Sequence, residues 1–283
     1  MATIKKKIRI MTDSVCDIPQ ALLEKWNIGV IPCYVNFEGN SYLDDGTQFD
    51  RAGFYSRLPQ MKDFPTTAAP SPALAEEMLK EAMEGYDHIV SVNVAAKLSA
   101  TLNNIRLGGQ QGLPGQVTVL DSGGVTMSIG SQALVAARVA AETGDVDAVV
   151  AAVESTRKRQ KLYAIIANLE YLRRSGRVNA ISAFAGSILQ IKPILDVHDG
   201  EVDVAERVRT MSKAVSRLRA LTEAQAPLEH LTILQIENEE GAAQLKDMLK
   251  GVLPADNITV MAGPTLGVHI GPGSLGVVTV RKA

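Results

Sequence analysis

Cysteine is almost missing from this chain: Cys16 and Cys33 are the only two in 283 residues, and they form no close pair. The four histidines, His88, His198, His230 and His269, are scattered. A disulfide framework and a spaced zinc module are therefore excluded, and a reducing cytoplasm fits. Runs of one charge sign are missing too. Beyond Lys5, Lys6 and Lys7 no basic stretch occurs and the formal net charge is −2, so no nucleic-acid surface is expected. Long apolar runs are absent: residues 1–11 are too short on apolar character for a signal peptide, and residues 148–153 and 162–167 fall far short of a membrane span. The expectation is a soluble, cytoplasmic protein with no membrane span. Catalytic signatures are lacking as well. There is no Gly-x-Ser-x-Gly elbow, no His-Glu-x-x-His and no cysteine with a nearby histidine, which argues against an enzyme.

What is present is apolar mass, 46% of residues, enough for a large core and more than one domain usually holds. The apolar run at residues 8–11, a Thr12-Asp13-Ser14 turn, a helical segment from Pro19 to about Trp26 and a second apolar run at 28–35 read as strand, helix, strand. Ser71-Pro72 is an N-cap followed by proline at the first helical position, and Leu74, Met78, Leu79, Ala82 and Met83 then recur at helical spacing. Short β-branched runs at 88–94 and 117–120 alternate with helical stretches at 99–107 and 127–142. This is the pattern of an N-terminal parallel-sheet α/β domain over residues 1–155. A basic cluster, Arg157, Lys158, Arg159 and Lys161, marks the boundary. In residues 156–283, runs at 192–197 and 201–205 flank His198-Asp199-Gly200, a hairpin signal, since Asp-Gly accepts positive φ. With helices at 208–221 and 240–249 and strands at 231–236 and 258–261, a second α/β domain with a mixed or antiparallel sheet is expected.

Several segments are candidates for chemistry. Residues 65–71 form a proline-stiffened loop whose Thr66 and Thr67 hydroxyls, with free helix N–H groups, suit a carboxylate or phosphate; plain helix capping by Ser71 accounts for the same residues. Residues 95–101 follow a strand's carboxyl end, where ligands of open sheets sit, with Ser99 also the natural cap and Thr101 beside it. Asp121-Ser122-Gly123-Gly124 pairs with Thr12-Asp13-Ser14 as two acidic strand-end loops. They suit Mg²⁺-dependent phosphoryl transfer through Asp13 and Asp121, or ordinary turns in which the carboxylates accept backbone N–H groups. Gly271-Pro272-Gly273-Ser274-Leu275-Gly276 has dinucleotide-fingerprint spacing, but no helix follows it, so it reads as a turn-rich link beside His269. Residues 169–177 read as a short helix ended by Gly176, with arginines at its negative end.

In this order these segments resemble the DegV family along essentially the whole chain. The resemblance rests on Thr12-Asp13-Ser14 with Asp17-Ile18-Pro19; Thr67 with Pro70-Ser71-Pro72; Leu98-Ser99 with Thr101; Val119-Leu120-Asp121-Ser122; Tyr171-Leu172 with Gly176-Arg177; Lys192-Pro193-Ile194; and His269 with Gly271-Pro272-Gly273. It implies a two-domain α/β, DegV-like fold whose domains enclose one long-chain fatty acid. It also implies a protein that catalyses nothing, needs no cofactor or metal, and presents the carboxylate to a separate fatty acid kinase subunit that makes acyl phosphate for phospholipid synthesis. By that likeness the head group lies among Asp13, Ser14, Thr66, Thr67, Ala95, Ala96, Ser99, Thr101, Ser122, His269 and Gly271. Arg173, Arg174 and Arg177 then lie near a partner surface. The chain departs from the family pattern at Ala68 and Ala69, where Ser-Gln is common, and at Ala95, Ala96 and Ala100, where two serines and a glycine are common. With those side-chain donors gone, the N–H groups of Ala95 and Ala96 are the expected replacements. A Mg²⁺-dependent phosphotransferase built on Asp13 and Asp121 is the competing expectation.

Overall fold

The computed structural model describes residues 5–177 and 191–283; the first four positions of the expected N-terminal domain lie outside them. In chain order the elements are β1 (Ile8–Asp13), α1 (Gln20–Trp26), β2 (Gly29–Ile31), β3 (Tyr34–Phe37), β4 (Asn40–Leu43), α2 (Arg51–Arg57), β5 (Thr66–Ala68), α3 (Pro72–Met83), β6 (His88–Asn93), α4 (Thr101–Gly112), β7 (Val117–Asp121), α5 (Met127–Thr143) and α6 (Val146–Arg159). There follow β8 (Gln160–Ile165), α7 (Glu170–Arg174), β9 (Lys192–His198), β10 (Glu201–Val208), α8 (Met211–Glu223), β11 (Leu228–Gln235), α9 (Glu239–Met248), β12 (Asp256–Met261), α10 (Pro264–Ile270) and β13 (Leu275–Arg281). No helix among the described residues is long and apolar enough to cross a membrane.

The chain divides into two compact units: Met1–Tyr34 with Ala68–Lys158, and Val35–Thr67 with Arg159–Ala283. The later boundary falls three residues beyond the one read from the basic cluster. The sequence reading assigned residues 35–67 to the first domain, whereas they group with the second unit. The reason is packing: Val35, Phe37, Phe54, Tyr55 and Leu58 form one buried core with Tyr171, Ile236, Ala262 and Val268.

The first unit is a parallel sheet in the order β2-β1-β6-β7. Ile31, Leu79, Ile89 and Ile105 are wholly buried in its core, each contributing about 1.5–3 kcal/mol. Successive connections leave β1 in opposite directions across the sheet, so β1 and β6 flank the switch point where such sheets bind ligands at their carboxyl ends. The helix at Pro72 starts as the sequence requires, with Ser71 Oγ accepting from Leu74 N at 3.1 Å.

The second unit carries a mixed sheet, β10-β9-β8-β13-β11-β12, antiparallel except for the parallel pair β11 and β12. The expected hairpin is present, with Asp199 at φ 49° and Gly200 at φ 74°. A smaller sheet, β4-β3-β5, completes the unit. Residues 28–35, read as one strand, are therefore parts of two strands in different sheets.

Candidate functional site

In the second unit, Thr66 and Thr67 stand on β5, so this part of the stretch read as a loop is a strand edge. Thr66 is exposed, and its Oγ1 accepts from Asn36 Nδ2 at 3.2 Å. Thr67 turns the other way, and its Oγ1 lies 3.0 Å from Nε2 of His269, 202 residues further along the chain. His269 sits in the last turn of α10 rather than on a loop. The sequence carried a signal for that helix, Pro264 at its first position, which the glycines around it obscured.

Burial pulls the His269 pKa down to about 3, and the positive charge of Arg177 adds to the effect, so the imidazole is neutral at physiological pH. Its Nδ1 is buried and has no hydrogen-bond partner among the described residues. A neutral imidazole carries one N–H, and the threonine carries one O–H. One of those two hydrogens makes the Thr67–His269 bond. If Thr67 donates to Nε2, the proton on Nδ1 is left over; if Nε2–H donates to Thr67, the threonine hydroxyl proton is. Nδ1 is enclosed, so the donor open to an outside acceptor is the half-buried Thr67 hydroxyl, freed when Nε2–H donates to it, in a place where Arg177 favours negative charge.

Gly271 caps α10, its N–H donating to Gly267 O at 2.8 Å. Its φ of 74° and ψ of 165° are open essentially to glycine alone, and a Cβ there would stand 2.3 Å from the Tyr171 ring. The residue is thus required for close packing against Tyr171.

In the first unit, the other sequence candidates collect at the carboxyl ends of β1, β6 and β7, and they are largely satisfied by one another. Asp13 is fully buried; its carboxylate accepts from Val94 N at 2.8 Å, Val15 N at 3.0 Å and Asn93 Nδ2 at 3.3 Å. Burial outweighs these three donors and raises its pKa to about 6. Ser14 Oγ accepts from Cys33 N at 3.0 Å. The Ser122 N–H donates to Asn93 O at 3.0 Å, and Gly124 N donates to Ser122 Oγ at 3.2 Å. Ser99 Oγ accepts from Thr101 N at 3.2 Å and lies 2.8 Å from Thr101 Oγ1, as a cap would.

The backbone donors expected to stand in for the missing serines need correcting. Ala95 N already donates to Gly124 O at 3.0 Å, and Ala96 N to Asp121 Oδ2 at 3.2 Å, so neither is left for a head group. Asp121 Oδ1 also accepts from Gly123 N at 2.8 Å. Asp13 and Asp121 are therefore turn acceptors, the plainer of the two readings the sequence allowed. No cluster of histidine, cysteine, aspartate or glutamate suited to a metal ion occurs among the described residues.

The three arginines have different surroundings. Arg173 pairs with Glu170 on the exposed face of α7, Nε to Oε2 at 2.8 Å. Arg174 lies 4.3 Å from the centroid of the Phe64 ring and donates to the carbonyls of Met61 and Lys62, which ties α7 to the segment before β5. Arg177 Nη1 donates to Ser175 O, and its charge reaches His269. Sequence reasoning overlooked Asp44 and Tyr55, which bond to the start of α10 and to Ala262 just before it, and Gly267, the point on α10 where the Tyr55 ring packs.

Residues 7–282 match a family model described as an uncharacterised protein of the DegV family. A DegV domain-containing protein of Streptomyces coelicolor is 34% identical over 285 residues, covering 99% of this chain and all of the relative. The structure is similar to that of a DegV family protein from Thermus thermophilus described by its fatty acid binding, with TM-score 0.89, 30% identity, 97% of this chain and 99% of that one. It is also similar to DegV from Bacillus subtilis, described as a fatty acid binding protein, with TM-score 0.89, 26% identity and coverage of 98% and 100%.

Proposed function

The chain belongs to the DegV family, and from that premise we propose that it is a lipid-binding protein that holds one long-chain fatty acid with its carboxylate at Thr67 and His269. The observation that carries this reading is the surplus donor of the neutral pair formed by half-buried Thr67 and largely buried His269, set where Arg177 adds positive potential. A fatty acid carboxylate is an acceptor-only anion that takes such a donor. The protein performs no chemistry itself and needs no cofactor; it presents the carboxylate to a separate kinase subunit in the cytoplasm, for phospholipid synthesis. All three arginines are exposed and suit a partner surface; Arg173 is held by Glu170 one turn away, while Arg174 stacks on Phe64 and Arg177 donates to Ser175 O.

Magnitudes divide the labour between tail and head. Each buried methylene is worth about 0.8 kcal/mol, so a chain of about sixteen carbons contributes on the order of 11 kcal/mol before ordering costs. A hydrogen bond to a charged group contributes about 1.5–3 kcal/mol. The tail sets strength and the head sets orientation, so loss of the loop serines at Ala95 and Ala96 is compatible with binding.

The experiment compares hexadecanoate with hexadecanol on delipidated protein. Thr67→Val keeps the shape and removes the hydroxyl. Hexadecanoate should bind roughly tenfold more weakly, with hexadecanol changed by no more than about twofold. Equal losses for the two would contradict a carboxylate contact at Thr67.

A further inference from the structure

The helix that carries His269 lacks the means to place itself. It has seven residues, under two turns, which in isolation is too short to be stable. Its N-cap is Gly263, which offers no capping side chain. The missing cap comes from 221 residues earlier. Asp44, 1% exposed, accepts on Oδ2 from Thr265 N at 3.1 Å and from Thr265 Oγ1 at 2.7 Å. Its Oδ1 accepts from Arg51 Nη2 at 3.0 Å, so both carboxylate oxygens are committed.

A second clamp comes from the same segment. The Tyr55 hydroxyl donates to Ala262 O at 2.7 Å, just before the helix, and the phenol fills the notch left by Gly267, where a Cβ would meet Oη at 2.0 Å. Val35–Thr67 therefore supplies the cap through Asp44, the wedge through Tyr55 and, at its end, Thr67 itself. The 3.0 Å bond between Thr67 and His269 joins the last residue of that segment to the helix the segment holds.

Resting on the head-group reading above, we propose that Asp44 is a positioning residue for carboxylate recognition: by fixing the first turn of α10 it sets His269 against Thr67. Loss of the cap lets the helix start fray and shift, and the histidine one turn further on loses its register. The cost falls on the acid and not on the alcohol, because the tail does not depend on His269.

The test uses the delipidated full chain and the ratio of hexadecanol to hexadecanoate dissociation constants. His269→Ala sets the scale, with an expected fall of roughly tenfold in that ratio. Asp44→Ala should lower it by roughly fivefold, and Asp44→Asn, which keeps an acceptor for Thr265, should restore part of the loss. In a His269→Ala background, Asp44→Ala should change the ratio no further. Leu218→Ala, in the core of the same unit, reports simple destabilisation and should leave the ratio alone. If Asp44→Ala fails to fold, Thr265→Val removes only the 2.7 Å hydroxyl bond and should lower the ratio by roughly threefold. An unchanged ratio in His269→Ala overturns the head-group reading itself. A lowered ratio there, with no change in Asp44→Ala or Thr265→Val, overturns the positioning role and leaves that reading standing.

Discussion

Gly271→Ala should lower the unfolding free energy of the second unit by about 3–5 kcal/mol. Two costs add. At φ 74° and ψ 165° the backbone lies where an L side chain is strained by about 1–3 kcal/mol. The new methyl would also begin 2.3 Å from the Tyr171 ring, which is buried in the same core as Phe54 and Tyr55 and cannot simply swing away. Gly176→Ala separates the terms. Gly176 has the same φ of 74° but open space around it, so its replacement should cost about 1 kcal/mol. Denaturant unfolding of both variants measures the difference. Gly271→Ala costing no more than Gly176→Ala would contradict the packing described for the α10 terminus, and with it the placement of His269 two residues earlier.

Asp13 by itself should contribute an inverted acid response. Its folded pKa, about 6, lies above the ordinary value of 3.8, so the folded state binds the proton more tightly than the unfolded chain does. The sign follows: the Asp13 contribution is fully present below about pH 4 and is lost as pH rises through about 6. A shift of about two units corresponds to roughly 3 kcal/mol. His269 acts in the opposite sense, since its folded pKa is lowered and acidification below its ordinary value costs stability. The whole protein therefore masks the effect, and the difference between wild type and Asp13→Asn exposes it. The stability of wild type minus that of Asp13→Asn should rise by about 2–3 kcal/mol on going from pH 7 to pH 4. A difference that stays constant or falls would mean that the Asp13 carboxyl is not held in a dry site by Val15, Asn93 and Val94.

The sequence disclosed those parts of the fold that are written locally. The alternation around β1, β6 and β7 follows from β-branched runs and caps a few residues apart, and Asp199-Gly200 announces its hairpin by turn chemistry alone. The grouping of residues 35–67 was not legible. It depends on Tyr55 reaching Ala262 and Asp44 reaching Thr265, contacts that span more than two hundred residues and leave no periodicity. Helix α10 was concealed by its composition, since Gly263, Gly267 and Gly271 serve close packing and capping there and read in sequence as loop. The Thr67–His269 pair came from the family resemblance; nothing in the spacing of the two residues places them together.

At the strand ends of the first unit, hydrogen bonding between neighbouring loops was not legible in the sequence. The N–H groups of Ala95 and Ala96 are taken by Gly124 O and the Asp121 carboxylate. Spacing reveals which donors a loop has. It does not reveal which acceptors the neighbouring loops bring.

The central claim is that this chain carries a fatty acid. The most direct test is to purify the protein under native conditions, denature it, extract it into organic solvent and weigh the extract by mass spectrometry against the protein present. The account predicts a long-chain fatty acid at about one molecule per chain. An extract holding only buffer components, from protein that also fails to take up added hexadecanoate, would contradict it.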